Sequence, residues 1–284
     1  LIGPILNAGG RLGKSEYATE LLSSNNDLII KNRSNHLIKL NSKRKEIETL
    51  ILSEIDFQKI EKENKDVVIY YNPNINEGLI GIIAARLKDY FNKPSIVITI
   101  SNNLLKGSAR SVYNYNIGRV IKNLLDKNII VNGGGHNMAA GFTLIKTNLI
   151  NFENYILDDF LKSSAVNNNI FSYESEVSSL AFNQDFYNDI KKLEPFGTGN
   201  SLPIFMLRDL QITKSIVLNN KHISSILKSK TGFSIKSISF NSINSKIGEY
   251  LINYKNSINV IGQINENIWN NKKNLQLTIR DLIL

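Results

Sequence analysis

The chain has no cysteine, which excludes disulfides and thiolate metal centres. Histidine is almost as scarce. His36, His136 and His222 are the only three, which nearly excludes a multi-histidine zinc site. Long apolar runs are missing as well. Stretches such as Ser95–Ile100 fall far short of the roughly 20 residues a membrane helix needs. No signal-peptide pattern opens the sequence, and its first residue is Leu1 rather than Met, so it reads as a fragment. Absent cysteine and an absent export signal fit a reducing cytoplasm. Acidic residues are outnumbered by basic ones, 25 to 34, for a formal charge of +9. That surplus favours a polyanionic partner, although the heavy use of Asn, Ile and Lys supplies lysines for compositional reasons too.

What is present is ordinary for a folded protein. Hydrophobic residues make up 42% of 284, enough for two domains with separate cores. The sequence opens on a Gly-rich loop, Gly3–Arg11, after which Ser15 reads as a helix N-cap. Leu37, Leu40, Ile47, Leu50, Ile51, Ile55 and Ile60 recur at helical spacing, and no Gly or Pro intervenes. This predicts one polar strut over Leu37–Glu63. Strands and helices then alternate: strands at Val67–Tyr71, Ser95–Ile100 and Lys106–Ser111, helices at Leu79–Phe91, Ile117–Leu125 and Leu149–Leu161. That order implies a mixed or mostly parallel sheet covered by helices. The polar, aperiodic stretch Ser163–Asn169 reads as a domain boundary. Beyond it, Ile223–Leu227, Phe233–Phe240, Ile258–Ile264 and the alternating Leu275–Arg280 predict four or five short strands, with one helix near Gln184–Leu193. The expected fold class is therefore α/β plus all-β: a long connecting helix, a mixed α/β domain and a small C-terminal barrel.

The chemistry-bearing motifs are few. No carboxylates and histidines are spaced as metal ligands, and no Gly-x-Ser-x-Gly elbow occurs. Gly13-Lys14-Ser15 lacks the upstream glycine and strand of a nucleotide phosphate loop. Gly133-Gly134-Gly135-His136 could point backbone N–H groups and an imidazole at an anion, or could simply be a tight turn. In Gly107-Ser108-Ala109-Arg110-Ser111, Ser108 and Arg110 share one face of a strand and match phosphate geometry; a solvent-facing edge strand is the plainer alternative. Asn7 and Arg11 stand in the opening loop, where Arg11 could reach the same ligand. Glu194–Asn200 has turn chemistry throughout and reads as structural. Trp269 beside Lys272 and Lys273 suits base stacking or a hairpin tip equally.

Taken in order, Leu6–Leu12, Gly78–Leu87, Lys106–Ser111, Gly133–Gly141, Glu194–Asn200 and Leu275–Asp281 resemble the C-terminal portion of the RecJ family, the bacterial single-strand-specific DNA exonucleases of the DHH phosphoesterase superfamily. The resemblance implies four parts: the tail of a preceding DHH domain at 1–14, connecting helices at 15–65, a DHH-associated α/β domain at 66–163, and an OB-type barrel at 170–284. It implies 5′→3′ exonuclease action in DNA repair and recombination, with Mn²⁺ or Mg²⁺ held by a domain outside this span and no metal ligand or catalytic residue within it. It assigns phosphate and nucleic-acid binding to Asn7, Arg11, Ser108, Arg110, Gly134, Gly135 and His136. Single-stranded DNA with a 5′ end is the implied partner, a single-strand-binding protein is a second candidate, and a cytoplasmic monomer without membrane attachment is expected. Two departures stand out. The family's usual Trp-His is Ile75-Asn76 here, and its Asn-Ala-Ala-Gly-Arg is Asn7-Ala8-Gly9-Gly10-Arg11. A DHH-type phosphodiesterase for oligonucleotides or cyclic dinucleotides and a non-catalytic nucleic-acid-binding module remain as alternatives.

Overall fold

The computed structural model describes residues 2–163, 172–197, 199–243, 245–254, 256–269 and 272–283. The chain divides into two compact units, Leu1–Asn168 and Asn169–Leu284. Most of the stretch expected as a domain boundary, and the side chains of Trp269 and Lys272, lie outside the described residues.

The first unit begins with helices α1 (Ile2–Arg11), α2 (Glu16–Ser23), α3 (Asp27–Glu54) and α4 (Phe57–Glu63). The expected opening loop is thus a helix. Its stop signal is Gly13, at φ +77°, while Lys14 N–H donates back to the Gly9 carbonyl at 2.7 Å. The strut also differs from expectation. It starts ten residues earlier, where the Asn26 side chain accepts from Leu28 N–H. It stops at Ile55, because Asp56 caps a separate helix by accepting from Lys59 N–H at 2.9 Å. At 28 residues, α3 is about 40 Å long.

There follow β1 (Val68–Tyr71), α5 (Ile80–Phe91), β2 (Ser95–Ser101), β3 (Leu104–Arg110), α6 (Ile117–Asp126), β4 (Asn132–His136), β5 (Ala139–Leu144) and α7 (Leu149–Lys162). The sheet order is β1-β2-β3-β5-β4, with β1 parallel to β2 and the remaining pairs antiparallel. Strand β2 is apolar on both faces because helices cover both. On one side α5 and the end of α3 bury Val97 with Leu79, Ile83, Leu87 and Ile51. On the other, Ile96, Ile98, Leu105, Ala109, Phe142 and Leu144 pack against Val120, Ile121 and Leu124 of α6 and Phe152 of α7. Each Val, Leu, Ile or Phe among them contributes about 1.5–3 kcal/mol.

An ionic triad, buried at its α3 end, fastens α3 to α5. Glu48 accepts from Arg44 Nη1 and Arg86 Nε, both at 2.7 Å, and the Arg44 and Glu48 side chains are nearly buried.

The second unit holds β6 (Ser175–Glu176), α8 (Gln184–Lys191), β7 (Phe205–Leu218), β8 (His222–Ser229), β9 (Ser234–Ser239), α9 (Lys246–Asn253), β10 (Ser257–Trp269) and β11 (Lys272–Ile283). Strands β7, β8, β9, β11 and β10 form a closed five-stranded barrel, because β7 pairs with both β8 and β10, and β6 adds alongside β7. Strand β7 manages three partners by bending: Asp209 has φ +54° and the register slips between Ile212 and Lys214. The strands are longer than expected, and β7 and α9 were not anticipated. Leu251 of α9 is fully buried in a core with Leu207, Leu210, Ile223, Leu227, Ile235, Val260 and Leu277. Within the Glu194–Asn200 stretch, Asn200 Nδ2 donates to the Leu193 and Pro195 carbonyls at 2.8 and 3.0 Å.

Candidate phosphate cleft

Helix α5 packs over β1 and β2 and meets β3 at Gly81, but leaves the same sheet face bare beyond that contact. Directly paired residues on antiparallel strands share a face, so register defines what lines the bare area. One row is Lys106, Thr143 and Asn132; the next is Ser108, Gly141 and Gly134; the third is Arg110, Ala139 and His136. The alternate residues of β3, Leu105, Gly107 and Ala109, are buried in the core below.

The triple glycine is therefore strand β4, not a turn, and none of its three residues has positive φ. Its glycines are explained by crowding. A Cβ on Gly133 would approach Ile121 and Ile130 at 2.8 Å, and one on Gly135 would meet Ala139 and Ala140. On Gly134 it would meet nothing within 4 Å, leaving bare backbone on the open face.

A cleft of about 340 Å³ opens between this face and the first turn of α5. Arg11, Glu77, Gly81, Lys106, Ser108 and Arg110 line it. Arg11 is held by its Nη1 donating to the Gly78 carbonyl at 3.2 Å. Gly78 itself lies so close that a Cβ there would strike the Arg11 backbone. Arg110 Nη1 donates to the Ala109 carbonyl at 2.8 Å and to Ser108 Oγ at 3.1 Å. Its Nη2 sits where Gly81 leaves room. Burial holds the Arg110 guanidinium below its ordinary range, and the neighbouring charge of Arg11 pushes the same way. Among the described residues no carboxylate pairs with either guanidinium, so the cleft carries concentrated, half-desolvated positive charge that an anion would neutralise.

Among the described residues, the one carboxylate lining the cleft is occupied. Glu77 accepts from Ser101 Oγ at 2.6 Å and Lys106 Nζ at 3.0 Å, and these two contacts hold its carboxyl below the usual range. His136 is exposed, and its Nδ1 accepts from Met138 N–H at a long 3.4 Å. That contact leaves Nε2–H as a donor. Asn76 spends its side chain locally, accepting from Gly78 N–H at 2.8 Å to shape the start of α5.

The structure thus brings Arg11, Ser108 and Arg110 into one cleft and aligns Gly134 and His136 on the same sheet face. Gly135 packs against β5 instead, and Asn7 is exposed on α1. Lys106, Asn132 and Thr143 were missed as site residues, although the two-residue strand period running through Ser108 and Gly134 points to them. The residues present do not fit a divalent metal. Among those described, no three of His, Cys, Asp or Glu gather, and the cleft is cationic. No described helix is long and apolar enough to cross a membrane.

On the barrel, Lys214, Ile226 and Lys236 form an outward row across β7, β8 and β9, with Lys228 exposed beside it. Lys273 is paired with Glu266 at 3.3 Å.

The architecture is thus a mixed α/β domain with an open basic sheet face, and a closed five-stranded barrel of the OB type. The DHHA1 domain matches residues 64–163 and the RecJ OB domain matches residues 173–281. The chain belongs to the RecJ family. It is 30% identical to the single-stranded-DNA-specific exonuclease RecJ of Haemophilus influenzae over 260 residues, 87% of this chain and 45% of that protein. It is 27% identical to the Bacillus subtilis RecJ over 295 residues, 99% of this chain and 36% of that protein. The chain therefore spans less than half the length of these curated relatives. The crystal structure of RecJ from Thermus thermophilus in complex with Mn²⁺ shares the fold, with a TM-score of 0.79 at 20% identity, over 100% of this chain and 40% of that one. A Mg²⁺ complex of the same protein matches at 0.77.

Proposed function

We propose that the whole protein is a metal-dependent, single-stranded-DNA-specific 5′→3′ exonuclease of DNA repair and recombination, and that this span is its grip on the strand. In this reading residues 1–14 are the tail of a DHH domain, 15–65 connecting helices, 66–163 the DHH-associated domain and 170–284 the nucleic-acid-binding barrel. Mn²⁺ or Mg²⁺ would polarise the scissile phosphate from a domain outside these residues; among the described ones no three of His, Cys, Asp or Glu gather to hold a metal. No catalytic residue is assigned to this span.

The observation that carries the reading is the Arg11–Arg110 pair: two adjacent guanidiniums, one half-buried, without a carboxylate partner among the described residues. Arginine offers bidentate donors that fit phosphate oxygens. Arg110 and Arg11 grip the terminal 5′-phosphate, Ser108 Oγ and His136 Nε2 donate to it, Gly134 lets the strand run close to the protein backbone, and Gly135 keeps β4 seated against β5. Asn7 supports the Arg11 helix. Holding the 5′ end in register converts a diffusional encounter into a positioned one. The lysine row of the barrel follows the strand by charge rather than sequence. The protein acts as a cytoplasmic monomer, with a single-strand-binding protein as a candidate partner.

Binding of 5′-phosphorylated and 5′-hydroxyl oligonucleotides to wild type and Arg110→Ala tests this. The variant should lose affinity for the phosphorylated strand and little for the other. Equal losses would reject the phosphate role. The chain should bind without hydrolysing DNA in Mn²⁺; processive cleavage by these 284 residues would overturn the division of labour.

A further inference from the structure

Three residues beyond Arg110, the β3–α6 loop displays an aromatic ring that the phosphate grip does not use. Tyr113 is 82% exposed, and its ring makes no hydrogen bond or ring contact with another described residue. The loop beneath it is nevertheless fixed. Ser111 N–H donates to the Met138 carbonyl at 2.9 Å, and Ile117 N–H donates to the Asn137 carbonyl at 3.2 Å, tying both ends to the β4–β5 turn. Ser111 Oγ donates to the Tyr115 carbonyl at 2.6 Å, and Tyr115 N–H closes a turn on the Val112 carbonyl. Tyr115 is the anchor: it is fully buried and meets Phe160 edge-on at 4.9 Å. One tyrosine thus pins the loop while the other projects from the corner of its turn.

We infer that Tyr113 is a stacking platform for a nucleobase within the first nucleotides of the strand whose 5′-phosphate occupies the Arg11–Arg110 cleft. The inference rests on that reading of the cleft and names the next contact along the strand. Three Cα steps place Tyr113 at most about 11 Å from Arg110. The same edge carries His136, aligned with Arg110 through Ala139, and the half-exposed Met138. A strand leaving the cleft along β3 crosses this edge. One exposed ring and one methionine are too small a patch for a protein partner. A base needs only one ring face, and a pre-fixed platform loses little entropy on engaging it. Because every base has a π-face, the contact adds affinity without sequence preference.

The test measures affinity of the full chain for a 5′-phosphorylated oligonucleotide and for the same strand made abasic at its first two positions. The variants are Tyr113→Ala, Tyr113→Phe and Arg110→Ala. Tyr113→Ala should lose at least about fivefold on the intact strand and nothing further on the abasic one, while Tyr113→Phe keeps wild-type affinity. Equal loss on both strands, or loss in Tyr113→Phe, would overturn the stacking role. If Arg110→Ala weakens binding and Tyr113→Ala does not, the inference fails while the phosphate reading stands. If neither variant matters, both fail.

Discussion

Replacing Gly81 with alanine should separate folding from binding. Gly81 is the second residue of α5, and no positive φ demands glycine there. Alanine is favoured over glycine in helices by up to about 1 kcal/mol, and less in the first turn. The new methyl would lie 2.9 Å from Arg110 Nη2 and 3.1 Å from Ser108 Oγ. The guanidinium end is the softer of these neighbours, so Arg110 must swing away while the helix stays. Displacement loses one charge-assisted bond to a bound phosphate, worth about 1.5 kcal/mol or roughly tenfold in affinity. Chemical denaturation should therefore give a stability equal to wild type or up to about 1 kcal/mol higher. Fluorescence anisotropy with a 5′-phosphorylated oligonucleotide should give a roughly tenfold weaker Kd. In an Arg110→Ala background the second substitution should change binding by less than about twofold, because both act through one group. A loss of more than about 2 kcal/mol of stability, or unchanged affinity in the single variant, would show that Arg110 is not seated against α5 as described.

Gly78→Ala should behave oppositely, destabilising by about 1–3 kcal/mol in thermal unfolding, because its Cβ would press on the Arg11 backbone, which cannot swing. Glu48→Ala should cost about 3–5 kcal/mol by denaturant titration, since it strands the nearly buried Arg44. Glu77 has a depressed carboxyl, so its pair with Lys106 holds above the ordinary carboxylate range and is lost as pH falls through the lowered value. Acidification, or Glu77→Gln at neutral pH, should free Lys106 and tighten binding of phosphorylated strands by less than about fivefold, as expected for an exposed pair. Replacing Lys214, Lys228 and Lys236 together with alanine should reduce the slope of log K against log salt by about 2, uniformly across sequences.

The parts of this fold legible in the sequence are those where burial imposes a period. Strand β3 alternates Leu105, Gly107 and Ala109 inward with Lys106, Ser108 and Arg110 outward, so its open face could be read from spacing alone. Glycine misled because it answers two demands. At Gly13 it relieves a left-handed backbone, the role that makes glycine a loop signal. At Gly9, Gly133 and Gly135 it instead lets another segment come close, and the surrounding chain stays helix or strand. Only the neighbours decide between these, and some are distant in sequence: Gly118 of α6 is small because a Cβ there would sit 2.8 Å from the His136 carbonyl oxygen. The strut misled for the reverse reason. Absence of Gly and Pro does not guarantee continuity, since an aspartate able to cap, Asp56, ended one helix and began another. Leu28 and Ile29, both exposed, gave its true first turn no apolar stripe to detect. Tyr113 had no signal at all: an exposed ring on a turn has no period, and only its distance along the chain from Arg110 and the buried anchor of Tyr115 give it a direction to work in. The grip is thus readable where a sheet face generates it, and unreadable where a loop must be held by a residue on its other side.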